Sequence, residues 1–370
     1  MRSKKFVFIC GSADALVRFR LDFIKDLIGN GYEVIALFPE GRKEFIDILD
    51  EINVKHMNIS FKRKSVNPIN SIVSIVKITK QLKLINPDIV FSFTHKSVVI
   101  GSFCAYFANV PYIYSMITGT GHIFDRQTFL LRIKRAIGII GFKISLGFNK
   151  KIFFQNPDDR KLFRKLCKIP DDKIVMINGS GVNLDIFPVT PLPEAPIFMC
   201  MARLIKSKGL IEFAEASKIL REKSPDSRFL LYGFPDDHND SIDEKEIKEL
   251  WFDRYGVEYL GYSDNPQEAI SKCSVYVLLS YNEGTPRSVL EAMSMGRPII
   301  TTDVSGCRET VSHGRNGLLV KAKDARNSAD AMEVLTNRNI REKMSIESRK
   351  YCEEKFNVHD VNKKLLDTIK

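Results

Sequence analysis

Two glutamates, Glu283 and Glu291, lie in a segment that follows an apolar run and opens a helical pattern. Pro286 fits near the start of the predicted helix, because the first turn does not need the N–H group that proline lacks. The free N–H groups of a first turn and the positive end of the helix dipole suit a phosphate or the polar face of a sugar. The two carboxylates could therefore hold hydroxyl groups at two points along one ligand. The alternative is a capped helix in which Glu291 is solvated.

Arg203 and Lys208 frame a second segment of interest, a loop between a predicted strand and a predicted helix. A bidentate guanidinium and an ammonium group can bind a diphosphate without a metal ion. The sequence has no Asp-x-Asp triplet, and its six histidines and seven cysteines are scattered without metal-ligand spacing. We therefore expect no metal and no cofactor, and buried thiols in a reducing compartment. Basic residues in such loops are also common for structural reasons.

Short apolar runs alternate with amphipathic segments in both halves of the chain. This alternation predicts βαβ units and parallel sheets, and thus an α/β fold with two doubly wound domains. In such domains a ligand binds at the carboxyl ends of the strands. The predicted strands are 6–10, 33–38, 88–93, 112–116, 151–154, 197–201, 229–233, 257–261, 275–279 and 298–302. The predicted helices include 19–30, 69–84, 129–148, 210–223 and 287–295.

Four of the 15 prolines fall in residues 185–196, which can form neither a helix nor a central strand. We interpret this segment as a linker between an N-terminal domain, residues 1–184, and a C-terminal domain, residues 197–350. The remaining residues, 351–370, are predicted to form a helix that could pack back on the first domain.

Residues 97–124 carry no charge and are numerous enough to span a bilayer. Pro111 and the Thr-Gly-Thr-Gly run at 118–121 interrupt this stretch, so a helix, a turn and a buried strand explain it better. The first apolar run is too short for a signal peptide. We therefore expect a cytoplasmic protein.

The net charge of +11 comes from the first half of the chain. Residues 1–185 contain 29 Lys and Arg against 16 Asp and Glu, whereas residues 186–370 contain 27 against 29. A surplus on one half suggests an anionic partner, such as nucleic acid, a phospholipid surface or a phosphorylated acceptor. A lysine-rich solvated surface would give the same count.

The predicted helix at residues 129–148 mixes apolar side chains with basic ones. A basic amphipathic helix can rest on an anionic membrane, but it can equally cover a sheet with its charges in solvent. Its basic residues are Arg132, Lys134, Arg135 and Lys143.

The order Arg-x₄-Lys, followed by Glu-x₇-Glu within E-G-x-P-x-x-x-x-E-A-M, resembles the retaining glycosyltransferases of family four. Residues 177–183 and 314–320 also resemble segments of that family, and the resemblance covers essentially the whole chain. It implies the GT-B fold, two Rossmann-like domains facing each other across a deep cleft. It also implies that Arg203 and Lys208 neutralise the donor diphosphate and that Glu283 meets the donor sugar as part of the catalytic group.

The same resemblance implies how the rest of the donor would bind. The segment from Gly284 to Pro286 would present backbone N–H groups to the sugar and phosphate, Glu291 would hold the ribose hydroxyls, and the base would lie near Tyr262. The donor-binding residues implied are Gly284, Thr285, Pro286, Ser288, Glu291 and Tyr262.

Many family members carry a histidine shortly after the strand that here follows Pro111, but this chain has Ile-Thr-Gly-Thr-Gly at residues 117–121. This variant resembles bacterial transferases that extend lipid-linked oligosaccharides for O-antigen or capsule, including N-acetylgalactosaminyltransferases that act on undecaprenyl-diphosphate sugars. His95 beside Lys96 is then a candidate acceptor contact, or merely a polar pair at a strand end, and His122 is a further candidate. The acceptor-binding residues implied are Gly11, Ser12, His95, Lys96, Gly119 and Thr120.

The hypothesis is a retaining, metal-independent enzyme that moves a hexose or N-acetylhexosamine from a UDP-sugar to a polyprenyl-diphosphate-linked saccharide in surface glycan biosynthesis. It would work at the cytoplasmic face of the inner membrane, against anionic lipid. A nucleotide-sugar 2-epimerase of the same fold is the alternative, although it would not need a basic first domain. Nucleic-acid binding is disfavoured because the aromatic residues fall on predicted strands and apolar helix faces. The four charged donor-site residues disfavour a binding protein that has lost catalysis.

Overall fold

The computed structural model describes residues 3–59, 68–119, 129–236 and 240–369. The chain divides into two compact units. The first unit contains Met1–Ser180 together with Val361–Lys370, and the second contains Gly181–Asp360.

The first unit is built on a seven-stranded parallel sheet in the order β3-β2-β1-β4-β5-β6-β7. From β1 the chain continues to β2 and β3 on one side of that strand, whereas β4 pairs with the other side of β1. The strand order therefore reverses between β1 and β4. The elements are β1 (Lys5–Ile9), α1 (Ala13–Gly29), β2 (Glu33–Phe38), α2 (Lys43–Glu51), β3 (Lys55–Asn58), α3 (Pro68–Ile85), β4 (Ile89–Phe93), α4 (His95–Phe107), β5 (Tyr112–Ile117), α5 (Phe129–Gly147), β6 (Lys151–Phe154), α6 (Pro157–Cys167) and β7 (Ile174–Met176).

The second unit has a six-stranded parallel sheet in the order β10-β9-β8-β11-β12-β13. Its order reverses between β8 and β11. The elements are β8 (Ile197–Met201), α7 (Leu210–Lys223), β9 (Arg228–Tyr232), α8 (Glu244–Tyr255), β10 (Val257–Tyr259), α9 (Pro266–Ser271), β11 (Val275–Leu278), α10 (Arg287–Ser294), β12 (Ile299–Thr302), β13 (Gly317–Val320), α11 (Ala325–Val334) and α12 (Arg338–Phe356). Helix α13 (Val358–Ile369) begins at the end of this unit and belongs to the first unit from Val361.

Side chains alternate between the two faces of a strand, so the apolar strands of the first sheet have side chains to bury on both faces. Helices cover both faces. Phe6 and Phe8 of β1 lie in a buried cluster with residues of α1, α2 and α13. Val7 and Ile9 of the same strand lie in another cluster with residues of α3 and α4. The first unit therefore has an α1-α2-α13 layer on one face of its sheet and, on the other, an α3-α4-α5 layer against which α6 packs.

The proline-rich segment at 185–196 packs within the second unit. Two buried arginines satisfy its backbone carbonyls: Arg297 donates to the carbonyl of Thr190 at 2.8 Å, and Arg341 donates to that of Glu194 at 2.6 Å. The division at Ser180 and Gly181 precedes the boundary placed at residue 184. The C-terminal segment belongs to the first unit from Val361 onward, ten residues later than residue 351, where the predicted C-terminal segment begins. Val361 and Leu365 lie in the core of the first unit.

The uncharged stretch from Ser97 divides into α4 and β5, with Pro111 between them, as predicted. Over the described parts of the chain, we find no helix whose length and apolar content would allow it to cross a bilayer.

Candidate active site

The loops that follow β8 and β11 lie at the point where the strand order of the second sheet reverses, where open α/β sheets bind ligands. Lys208 ends a short 3₁₀ turn after β8, and Glu283 lies in the loop after β11. Their side chains form an ion pair and are only 17% and 14% exposed. The Ser280 hydroxyl donates to the same Glu283 carboxylate oxygen at 2.8 Å. The structure thus brings together two of the three catalytic candidates.

Gly209 allows these two loops to approach each other. Its φ is +71°, and an added Cβ would lie 2.1 Å from the carbonyl oxygen of Leu279. The backbone N–H of Tyr281 donates to the carbonyl of Ser207 at 2.9 Å. A backbone conformation that favours glycine and a contact that excludes a side chain therefore fix the position of Lys208 relative to Glu283.

A third loop, after β12, packs against the segment that contains Glu283. The Glu283 N–H donates to the carbonyl of Ser305 at 3.1 Å. Gly306 has a φ of +77°, and an added Cβ would lie 2.3 Å from the carbonyl oxygen of Gly284. The Thr285 hydroxyl donates to that Gly284 carbonyl at 3.0 Å. The segment predicted to meet the donor sugar is therefore held in place by backbone contacts.

Arg203 follows β8 and pairs with Asp236, which follows β9, at 2.5 Å. Its side chain is 41% exposed, so the guanidinium is accessible at the carboxyl edge of the sheet. Since a guanidinium carries five N–H donors, the pair with Asp236 leaves donors for an anion.

Glu291 forms a pair with Arg287, one turn earlier on α10, at 3.0 Å. The two side chains are 14% and 15% exposed, and the alternative of a solvated Glu291 is therefore wrong. Arg287 also donates to the carbonyl of Gly181 at 2.5 Å. Pro286 stands at the N-cap, one residue before the first helical position.

Ser288 lies in the first turn of α10 and is partly buried beside the phenol of Tyr276. Burial raises the pKa of Tyr276 well above its usual value. The Tyr276 hydroxyl donates to the carbonyl of Met201 at 3.0 Å, so this residue links β11 to the end of β8 beneath the site.

Tyr262 follows β10, and its ring meets that of Phe234, which follows β9, edge to face at 5.6 Å. Both rings are 40% exposed. Two half-exposed aromatic rings at the carboxyl edge of the sheet provide an apolar surface of the kind on which a base can stack.

The acceptor candidates that the structure describes lie at the carboxyl edge of the first sheet. Gly11 and Ser12 follow β1, and the Ser12 hydroxyl caps α1 by accepting from the Ala15 N–H at 3.2 Å. His95 begins α4 after β4, so it belongs to a helix start rather than to a strand end. Gly119 follows β5.

His95 Nε2 lies 2.5 Å from the carbonyl oxygen of Gly119, so the imidazole links the ends of β4 and β5. Burial lowers the pKa of the neighbouring Lys96. Thr94, just before them, has a φ of +71° and a ψ of 145°, a strained conformation for a residue with a side chain. Thr120 and His122 lie outside the described residues.

The four residues that sequence reasoning missed each support a predicted one. Arg287 could have been found, because an Arg and a Glu four positions apart on a helix face each other. Ser280 lies three residues before Glu283 in the same loop after β11. Phe234 and Asp236 follow β9, far in sequence from the residues they support, and no local signal marks them.

Where side chains are described, no group of three or more His, Cys, Asp or Glu could hold a metal ion. The seven cysteines are all buried and free.

Two family models match the chain, one in each unit. The model of Glycosyl transferase 4-like matches residues 9–156, and that of Glycosyl transferases group 1 matches residues 195–338. The N,N'-diacetylbacillosaminyl-diphospho-undecaprenol alpha-1,3-N-acetylgalactosaminyltransferase of Campylobacter jejuni is 29% identical over 342 residues, covering 89% of this chain and 88% of the relative. The UDP-Gal:alpha-D-GlcNAc-diphosphoundecaprenol alpha-1,3-galactosyltransferase of Escherichia coli is 25% identical, covering 90% and 88%.

Among solved structures, Anabaena Alr3699/HepE in complex with UDP and glucose matches with a TM-score of 0.79 at 15% identity and covers 99% of both chains. The fold is therefore GT-B, as predicted. Family models match both units, and the two relatives match most of the length of the chain. The chain therefore belongs to the group 1, family-four-like glycosyltransferases and is a glycosyltransferase.

Proposed function

We propose that this glycosyltransferase moves a sugar from a UDP-sugar to a saccharide linked to polyprenyl diphosphate, with retention of the anomeric configuration and without a metal cofactor. The observation that carries the donor half is the Lys208–Glu283 pair at the strand-order reversal, with Arg203 accessible on the same sheet edge. The acceptor half is supported by the names of the two relatives, both of which act on diphospho-undecaprenol sugars.

The charges of the site suit cleavage of a sugar–diphosphate bond. As the bond between the anomeric carbon and the diphosphate oxygen breaks, its electron pair goes to the leaving nucleotide. The ammonium of Lys208 and the guanidinium of Arg203 would stabilise this developing charge, which is the role a metal ion has in other transferases. The acceptor hydroxyl would attack from the same face, and its proton would pass to the leaving phosphate.

The remaining donor contacts follow from the position of each group. The Glu291 side chain is only 14% exposed and is paired with Arg287. Its carboxylate would accept hydrogen bonds from the ribose hydroxyls. The Phe234–Tyr262 pair would contact the uracil. Glu283 would contact the sugar while Ser280 and Lys208 fix its carboxylate.

We propose that the enzyme associates peripherally with the cytoplasmic face of the inner membrane, where its lipid-linked acceptor would be. The basic surplus of the first half supports an anionic lipid surface as the partner.

The test offers the purified chain a panel of UDP-sugars with and without a lipid-diphosphate saccharide, in the presence of EDTA, and measures UDP release and product mass. We expect one UDP-sugar to give UDP and a lipid product enlarged by one sugar, only when both substrates are present. A donor sugar epimerised at C2 without acceptor would instead identify an epimerase. Transfer that stops in EDTA would overturn the metal-independent site.

A further inference from the structure

The α3-α4-α5 layer of the first unit differs in charge from the layer on the opposite face of the same sheet. Its three helices contain eight Lys and Arg and no Asp or Glu. Helix α6, which packs against α5, adds four Lys and Arg and two Asp to the same face. The α1, α2 and α13 helices contain six Lys and Arg and nine Asp and Glu. Solvated helices ordinarily mix both signs. The helices on this face therefore have a basic surplus, whereas the helices of the opposite layer have an acidic one.

The same acid-free layer exposes large apolar side chains. Tyr106 and Phe107 at the end of α4 are 50% and 51% exposed. The others are Ile72, Val73 and Val76 on α3 and Ile137, Ile140 and Ile144 on α5, each between 47% and 61% exposed. Since α4 packs against both α3 and α5, these residues belong to one continuous layer.

On α3 the exposed apolar residues share one side of the helix with exposed lysines. Ile72 and Val76 are four positions apart, and the outward arc continues with Lys80 and Lys83. The inward positions are buried, among them Ile78 and Leu82. An amphipathic helix whose outward side mixes apolar and basic side chains matches the boundary between lipid headgroups and acyl chains.

The aromatic residues at the end of α4 also suit such a boundary. Tyr106 stacks on Phe148 with ring centroids 4.0 Å apart, and Phe107 meets the Tyr106 ring at 5.6 Å. Amphipathic aromatic rings are enriched where a protein meets the lipid headgroups.

We infer that the α3-α4-α5 layer is a docking face for an anionic phospholipid bilayer. The inference deepens the proposed function and rests on it, because α4 begins at the acceptor candidates His95 and Lys96. A bilayer against this layer would present a lipid-linked acceptor beside the start of α4. Charge complementarity favours anionic lipid over a second copy of this chain, since two faces with a basic surplus repel each other.

The test measures cosedimentation of the full chain with vesicles of phosphatidylglycerol and phosphatidylethanolamine, and with vesicles of phosphatidylcholine alone. Wild-type protein should bind the anionic vesicles, bind the neutral ones weakly, and lose binding as salt increases. The variant K77Q/K80Q/K83Q removes three exposed lysines from the layer. It should bind about 100-fold more weakly, since each basic residue near such a surface contributes about fivefold.

The matched control K25Q/K363Q/K364Q removes three exposed lysines from the opposite layer. It should bind within about twofold of wild type, because a docking face requires position as well as charge. Equal losses in the two triple variants, or no wild-type binding to anionic vesicles, would overturn the inference. A dimer observed by sedimentation equilibrium would also overturn the inference if the I137S/I140S variant dissociated without any change in vesicle binding. A second copy of the chain would then cover the layer.

Transfer to a short-chain, water-soluble acceptor, measured without vesicles, separates the two proposals. Transfer by wild type and K77Q/K80Q/K83Q alike, with no vesicle binding by either, would reject the docking face and leave the proposed transfer reaction standing. Position-dependent vesicle binding without transfer to any acceptor would support the docking face and reject the proposed transfer reaction.

Discussion

Arg287 holds the carboxylate of Glu291 at 3.0 Å, and neither side chain is more than 15% exposed. Their low solvent exposure distinguishes this ion pair from the exposed i,i+4 ion pairs of the chain, which contribute little to stability. A carboxylate held in place by a neighbouring guanidinium can accept hydrogen bonds from a ligand without first losing side-chain freedom.

Glu291→Ala should therefore weaken binding of UDP by about 10- to 100-fold, because hydrogen bonds to a charged group contribute about 1.5–3 kcal/mol. Isothermal titration calorimetry with UDP measures the change. The matched control is Glu342→Ala, which removes the glutamate of another Arg–Glu i,i+4 pair, 51% exposed on α12. UDP affinity that is the same for both variants would remove Glu291 from the ribose site.

Lys208→Ala should lower the turnover number by at least about 100-fold, because Lys208 would compensate the charge that develops on the leaving diphosphate. Single-turnover transfer at saturating donor measures this step. Lys272→Ala, which breaks an exposed pair with Glu268, serves as the control and should leave the rate unchanged. A Lys208→Ala rate within tenfold of wild type would exclude the phosphate role.

Gly209 and Gly314 provide a paired test of how the site is built. Their φ values are +71° and +80°, but an added Cβ meets the Leu279 carbonyl at Gly209 and nothing within 4 Å at Gly314. Gly314→Ala should cost about 1 kcal/mol from backbone strain alone. Gly209→Ala should cost a further 1–3 kcal/mol, roughly the penalty of overpacking.

Urea unfolding measures the free energy of each glycine variant. Gly209→Ala should also weaken UDP binding, because it moves the loop that carries Lys208. Equal unfolding free energies for the two variants would contradict the close approach of the loops after β8 and β11.

The buried thiols predict how stability depends on pH. Burial raises the pKa of Cys10, Cys200 and Cys307 from 9.0 to about 12, and the same holds for Cys104, Cys273 and Cys352. In the unfolded chain these thiols ionise above pH 9, whereas in the folded chain they stay protonated. Their contribution is therefore intact below about pH 9 and is lost as the pH rises toward 12.

The slope can reach about 1.4 kcal/mol per pH unit for each buried thiol. Urea midpoints compared at about pH 8 and about pH 10 should show a marked loss of stability, and native protein at neutral pH should react slowly with a thiol reagent. Rapid reaction of several thiols before unfolding would contradict their burial.

The sequence predicted the long, strongly periodic elements well, and several bounds agree within a residue. Strand β2 and helix α7 match their predicted ranges, and α10 ends one residue before its prediction. The helices α2, α6, α8 and α9 and the strands β3 and β7 were missed. Exposed or partly exposed strands such as Lys55–Asn58 lack a continuous apolar run. Their place is set by pairing with a neighbouring strand, which no local pattern encodes.

The candidate site was predictable where its residues follow one another in a motif. Glu283 and Glu291 share one segment, and Arg203 and Lys208 share another, so spacing alone marked them. Glu291 pairs with Arg287 on the same helix. The partners of Arg203 and Lys208, by contrast, come from loops after other strands, as Asp236 does for Arg203. The packing of parallel strands places those loops side by side, and this depends on strand order rather than on local sequence.

The most direct test of the central claim compares the sugar gained by a lipid-diphosphate saccharide with the UDP released, in EDTA, by wild type and Lys208→Ala. We predict one sugar transferred for each UDP released by wild type, and at least about a 100-fold loss in the variant. UDP release without an enlarged lipid product, or transfer by Lys208→Ala at the wild-type rate, would contradict the account.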